Sequence, residues 1–381
     1  MSIEKAIQER ILILDGAMGT MIQQFGLEES DFHVHCECHK KHAESRQMKG
    51  CNDILVLSRP DVIEKLHRMY LDAGADIITT DTFNANAFSL ADYNMSDAVT
   101  EINLAAARLS RKVAEEYEKE EGRICFVAGS VGPTSKSLTM AANLGDSVTF
   151  DDFVSAYYDQ CHALISGGVD ILAFETFYDA LNAKAAIFAA RRAMVDLQVR
   201  IPVMISATLN QNGQTLSGMT LEAFMVTVSH ANPIAIGINC GFGAEALAEH
   251  LSEIDNYTGG VVFYPNAGLP NELGEYEQTP EKMVEEIIST GAIHRVNIIG
   301  GCCGTTPAHI SAIAKAVKSV SPRKISEPAA SLQVAGLKAL DFATRNFVNV
   351  GERCNVAGSR KFLRQIKEKN YDEAISVAEN Q

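Results

Sequence analysis

What this sequence lacks narrows its possible functions before any motif is considered. It has no basic cluster long enough to follow a phosphate backbone, and its 48 acidic residues outnumber 33 basic ones, giving a net charge of -15. Nucleic acid is therefore not an expected partner. No apolar run approaches membrane-spanning length, so no membrane partner is expected either. The first residues, Met1-Ser2-Ile3-Glu4-Lys5, enter a mixed-charge helical pattern without the apolar core and cleavage site of a secretory leader. Nine cysteines, an odd number, in such a chain read as reduced thiols of a cytoplasmic protein, open to metal binding or catalysis. The spacing G-x-G-x-x-G is missing from the first turn, which argues against an open dinucleotide-binding sheet.

What the chain has is a regular alternation. Short, largely apolar runs at 11–14, 77–80, 125–130, 170–174, 203–207, 234–238, 261–264 and 297–299 each precede a helical window. A long irregular segment runs to residue 57 before the first of these windows, at 60–73, and the last closes the set at 307–320. Eight strand-helix units in series predict an α/β fold, a parallel (β/α)8 barrel over residues 1–320. The 381 residues exceed the roughly 250 of one barrel, so a remainder is expected. Residues 321–346, with Pro322, Pro328 and several small residues, read as a linker, and 347–381 as the start of a second strand-helix domain. An isolated unit of that kind cannot bury its own apolar face.

Polar residues gather at the C-terminal ends of these strands, the rim where barrels of this type build their sites. Asp15, Thr82, Glu175, Cys240, Asn266, Cys302 and Cys303 all fall there. Cys302 and Cys303 are adjacent, and a disulfide between neighbours would strain the intervening peptide. With Cys240 they make three thiols and an open fourth position, the arrangement of a catalytic rather than a structural zinc site. Gly301 and Gly304 would give the backbone freedom to turn both sulfurs to one ion. Small buried thiols with no ligand remain the other reading. A rival cluster, His33, His35, Cys36, Cys38, His39 and His42 with Cys51 beyond, has more ligand types but no finger-like spacing, and reads as a solvated loop.

The segments Leu14-Asp15-Gly16-Ala17-Met18-Gly19-Thr20, Thr82-Phe83-Asn84, Glu175-Thr176, Gly237-Ile238-Asn239-Cys240, Pro265-Asn266-Ala267-Gly268 and Gly300-Gly301-Cys302-Cys303-Gly304 together resemble the zinc-dependent homocysteine S-methyltransferases. The resemblance implies zinc on Cys240, Cys302 and Cys303, with Asn266 offering its side-chain oxygen when substrate is absent. It implies that Asp15 and Glu175 hold the amino group of homocysteine, and that backbone near Gly16 and Ala17, with Thr82, takes its carboxylate. The stretch Gly351-Glu352-Arg353-Cys354-Asn355 in turn resembles the opening of the folate-binding barrel that follows the homocysteine barrel in the cobalamin-dependent methionine synthases.

The second resemblance implies that methylcobalamin, bound by a module absent from this chain, is the methyl donor. The cobalamin motif D-x-H-x-x-G does not occur here, and the folate-binding domain is incomplete, so folate-dependent turnover by this chain alone is not expected. Cobalamin-binding and folate-binding modules are then the expected partners. The alternatives are a stand-alone enzyme using betaine or S-methylmethionine, a barrel metallohydrolase, and a non-enzymatic zinc module. A hydrolase would want a histidine ligand or a base on the rim, and a structural zinc module a fourth protein ligand.

Overall fold

The computed structural model describes residues 1–34, 47–144, 147–326, 331–348, 350 and 353–381. Eight parallel strands stand in the order β1-β8-β7-β6-β5-β4-β3-β2: β1 Leu12–Ile13, β2 Ile77–Thr79, β3 Phe126–Val131, β4 Ile171–Phe177, β5 Val203–Ala207, β6 Ala235–Gly243, β7 Gly260–Asn266 and β8 Ile298–Ile299. The expected (β/α)8 barrel is present. Its circle is completed between β1 and β2 by a single parallel bridge, Leu14 to Ile77.

That join is held partly by side chains. At its lower end the Asp76 carboxylate accepts from the Ile13 N–H (2.9 Å) and forms an ion pair with Arg10 (2.6 Å). At its upper end the Asp15 carboxylate accepts from the Thr79 N–H (2.7 Å). Two aspartates thus stand where longer strands would carry further ladder bonds.

The two apolar faces of each strand follow from the two-residue side-chain period. Leu12, Leu14, Ile77, Phe126, Ala128, Ile171, Ala173, Met204, Ala235, Val262 and Ile298 point into the barrel, where Ile3, Ala6 and Ile7 of the helix Ile3–Glu9 pack against them. The alternate residues, among them Ile13, Val127, Leu172, Phe174, Ile205, Ile236 and Phe263, meet the surrounding helices in a second, larger core. The helix Pro60–Ala73 shows why these windows fold as they do. Proline opens it, Val62, Ile63, Leu66 and Tyr70 are buried, and Gly74 ends it in the left-handed region at φ 108°.

Several strands run further than their apolar runs suggest. β4, β6 and β7 continue through Glu175, Cys240 and Asn266, so these residues sit in last rungs rather than in turns. The segment expected to be a linker contains two short paired strands, Gln333–Ala335 and Ala339–Asp341. By compactness the barrel unit comprises 1–329 and 334–339, and a second unit 330–333 and 340–381. The second unit holds the helices Arg360–Lys367 and Tyr371–Glu379. The strand expected at 347–350 is not formed by the described residues there, and Phe347 and Val350 are strongly exposed with no apolar cover to favour extended pairing. No helix among the described residues is long and apolar enough to cross a membrane.

Candidate active site

The upper interior of the barrel is polar. Continuing the inward register, Thr79, Ser130, Glu175, Ser206, Asn239, Tyr264 and Asn266 replace the aliphatic residues below them. Glu175 accepts a short hydrogen bond from the Ser130 hydroxyl. Burial pushes the Glu175 carboxyl up to about 7 against the lowering effect of its bonds to Ser130 and Tyr264. Asp15, at 2 % exposure, is also held well above the carboxylate range, first by burial and further by the like charge of Glu175, although bonds from Thr79 oppose this. Two carboxyl groups with raised pKa values and, among the described residues, no ion pair to either suit an incoming ammonium group.

The three thiols do converge. The Sγ atoms of Cys240, Cys302 and Cys303 all lie within 4.8 Å of one another. Cys240 and Cys303 are 3.8 Å apart, far beyond a disulfide. Zn–S bonds of about 2.3 Å in tetrahedral geometry place sulfurs about 3.8 Å apart. Hydrogen bonds from Cys240, then from Cys302, and then from Tyr276 hold the Cys303 thiol down to about 3 despite its burial. Cys302 is raised by those same thiol contacts and by burial. Cys240 is lowered by Cys302 but raised more by Cys303 and by burial, to about 11. Three converging thiols, of which Cys303 is the one most readily ionised, form a donor set suited to a soft cation.

Backbone geometry aims the sulfurs. In β6, Asn239 faces inward, so strict alternation would turn Cys240 outward. Instead Cys240 adopts φ 60° and Gly241 φ 81°, and the β6–β7 register shifts between Asn239 and Gly243. A non-glycine residue in this region costs roughly 1–2 kcal/mol, met here to point a thiol at the axis. Thr176 (φ 63°), at the register shift of β4, is its counterpart beside Glu175.

After β8, the Cys302 N–H donates to Pro265 O (2.8 Å) and the Cys303 carbonyl accepts from the Ala267 N–H (2.9 Å). Gly304 has the expected left-handed backbone, φ 78°. Gly301 does not, and is required for space, since a Cβ there would lie 2.4 Å from the Thr305 hydroxyl oxygen.

The remaining expected residues fare differently. Asn266 is buried beside this turn, and its Oδ1 has no hydrogen-bond partner. A buried carbonyl oxygen left bare is costly, and a metal ion is one group that satisfies it. The residues present therefore fit zinc. Thr82 is fully buried, its hydroxyl donating to Ser130 O (2.7 Å). The Ala17 N–H donates to the Thr305 hydroxyl (3.1 Å), and Gly16 packs against Thr305 and Tyr70 so closely that a Cβ would meet them at 2.8 Å. Of the rival cluster, 35–46 lies outside the described residues. His33 pairs with Glu29 (3.0 Å), and burial pushes the Cys51 thiol up to about 12.

Sequence reasoning missed Ser130, Ser206, Asn239 and Tyr264 as members of the site. Counting inward positions along each strand would have found them. Tyr276, whose ring covers Gly304 and whose hydroxyl reaches Cys303, lies in a loop and left no periodic signal.

A family model described as homocysteine S-methyltransferase matches residues 12–317. Among solved structures, the metallated form of the homocysteine methyltransferase MmuM from Escherichia coli is similar, with a TM-score of 0.62 and 23% identity over 81% of this chain and 96% of that one. The oxidized form of MmuM gives 0.61 and 22% over 80% and 95%, and its apo form 0.58 and 23% over 81% and 97%. At that identity the likeness is one of fold.

Proposed function

Because this chain belongs to the homocysteine S-methyltransferase family, we propose that its barrel binds homocysteine and presents the thiol for methylation at a zinc ion held by Cys240, Cys302 and Cys303. The observation that carries this reading is the convergence of three sulfurs within 4.8 Å on the C-terminal rim. When bound, zinc supplies a Lewis acid that lowers the substrate thiol pKa, so that the thiolate is the nucleophile at neutral pH. Asn266 Oδ1, buried without a hydrogen-bond partner among the described residues, would complete the donor set when substrate is absent.

The chain's own residues do the rest. Asp15 and Glu175 receive the substrate ammonium, whose charge favours the ionised form of both carboxyl groups against the burial that raises their pKa values. Backbone near Gly16 and Ala17, with Thr82, takes the carboxylate. The Thr82 hydroxyl hydrogen is committed to Ser130 O, the Thr82 N–H to Thr80 O and the Ala17 N–H to the Thr305 hydroxyl, so a carboxylate held there takes over bonds that these donors now make to the protein. The substrate sulfur then attacks the methyl carbon of the donor. An S–C bond forms, the donor's bond to that carbon breaks, and the electron pair stays with the donor.

We assign methylcobalamin, carried by a separate module, as that donor, and the chain as the homocysteine-binding module of a cobalamin-dependent methionine synthase in a reducing, cytoplasmic setting. The sequence from Phe347 to Arg360 supports this, as does the second unit's exposed apolar set of Phe347, Val350, Tyr371 and Ile375. A stand-alone enzyme using S-methylmethionine or betaine is the second reading, favoured by the 96% coverage of the MmuM chain.

Two measurements test these readings. Zinc X-ray absorption should show three sulfurs and one light atom, changing to four sulfurs with homocysteine, and Cys302→Ala should abolish tight zinc binding. An unchanged closed shell would sink the methyltransferase reading. Methionine formed from methylcobalamin but not from S-methylmethionine or betaine identifies the donor, and the reverse result makes the chain a stand-alone enzyme.

A further inference from the structure

The Asn239 side chain is fully buried in the polar layer and touches two strands and the turn after β8 at once. Its Oδ1 accepts from the Thr176 N–H of β4 (2.9 Å) and from the Ser206 hydroxyl of β5 (2.8 Å). Its Nδ2 donates to the Thr176 hydroxyl (2.8 Å) and points to the sulfur of Cys302 at 3.7 Å. The amide orientation is determined by this environment. A backbone N–H can only donate, so the atom facing Thr176 N must be the oxygen, and the NH2 group must face the sulfur.

We propose that Asn239 is a positioning residue for the metal centre, holding Cys302 as a hydrogen-bonded thiolate while the same amide clamps Thr176, the left-handed residue that follows Glu175. The inference rests on the zinc reading above. An N–H···S bond to a ligand thiolate draws charge from the sulfur and fixes its direction, as outer partners of metal ligands generally do. Ser206 also meets the Tyr264 hydroxyl, and Tyr264 bonds to Glu175. The group proposed to hold the substrate ammonium and the ligand proposed to hold the metal are thereby set by one hydrogen-bonded wall, with Asn239 at its metal end.

The test uses Asn239→Asp, which keeps the shape and can still accept from the Thr176 N–H and the Ser206 hydroxyl but can donate neither to the sulfur nor to the Thr176 hydroxyl. Zinc affinity, read by chelator competition, should fall about ten- to a hundredfold. In the cobalt-substituted protein, the sulfur-to-metal charge-transfer band should move to lower energy, because the Cys302 sulfur is no longer stabilised. A purely structural asparagine would leave both unchanged, so an affinity within about threefold of wild type with an unmoved band overturns the inference.

A second measurement needs no variant. In cadmium-113-substituted wild type, a through-bond correlation should link the metal to the Asn239 carboxamide proton, and its absence would also overturn the inference. If wild type itself fails to bind metal through the three cysteines, the zinc reading falls instead, and the two failures are distinguishable.

Discussion

Glu175 shows what a single side chain contributes here. Its side chain is half-buried, and desolvation raises the carboxyl to about 7 from an ordinary 4.5. A carboxyl whose folded value lies above its unfolded one binds its proton more tightly in the folded state. Its contribution to stability is therefore complete below pH 4.5 and is lost as pH rises to about 7, a change of roughly 3 kcal/mol. In metal-free protein, the urea midpoint of wild type relative to Glu175→Gln should decline across that window and level off above it. A constant difference would show that the carboxyl is not buried as described. The same titration contributes to binding, since homocysteine affinity should increase as pH rises to about 7, and Glu175→Gln should weaken that dependence, leaving the part due to Asp15, and remove most of the affinity.

At the scale of the element, the strand ends matter more than the strands. β6 carries Gly237, where a Cβ would lie 1.7 Å from the Val262 carbonyl oxygen of β7. No rotamer relieves a clash with backbone, so Gly237→Ala should force the two strands apart, at a cost of about 3 kcal/mol or more, with thermal unfolding as the readout. A melting temperature within about 2 °C of wild type would mean that β6 and β7 are not paired in this register. Gly304→Ala should act differently, because its left-handed backbone and its contact with Tyr276 concern the thiol turn. Zinc affinity should fall more than stability does, and the chelator competition used for Asn239 would show it.

The elements also show where sequence reading reached its limit. The paired cysteines, the third thiol and both carboxyl groups stood out because reactive side chains ended apolar runs. The left-handed conformations of Thr176 and Cys240 did not, because neither is a glycine and positive φ in such residues is imposed by tertiary contacts, among them the Asn239 bonds to Thr176. Residues 321–346 read as a linker because Pro322, Pro328 and several small residues show no periodicity. The short paired strands at 333–335 and 339–341 bury none of their residues fully, which leaves no apolar pattern to detect.

For the whole molecule, the barrel itself was legible from eight repeats, but its closure was not, since two- and three-residue strands at β1, β2 and β8 leave the β1–β2 join with one bridge. That join has a dynamic consequence. Asp15 both fastens the upper end of the seam through Thr79 and is proposed to receive the substrate ammonium. A ligand that fixes Asp15 would therefore act as a latch on the wall of the barrel. Amide hydrogen exchange at Asp15 and Thr79 should slow on homocysteine binding by more than at Ala235 or Ile236 on the opposite wall. Uniform slowing throughout would mean global stabilisation alone, whereas a local effect would make the substrate part of what keeps the barrel shut.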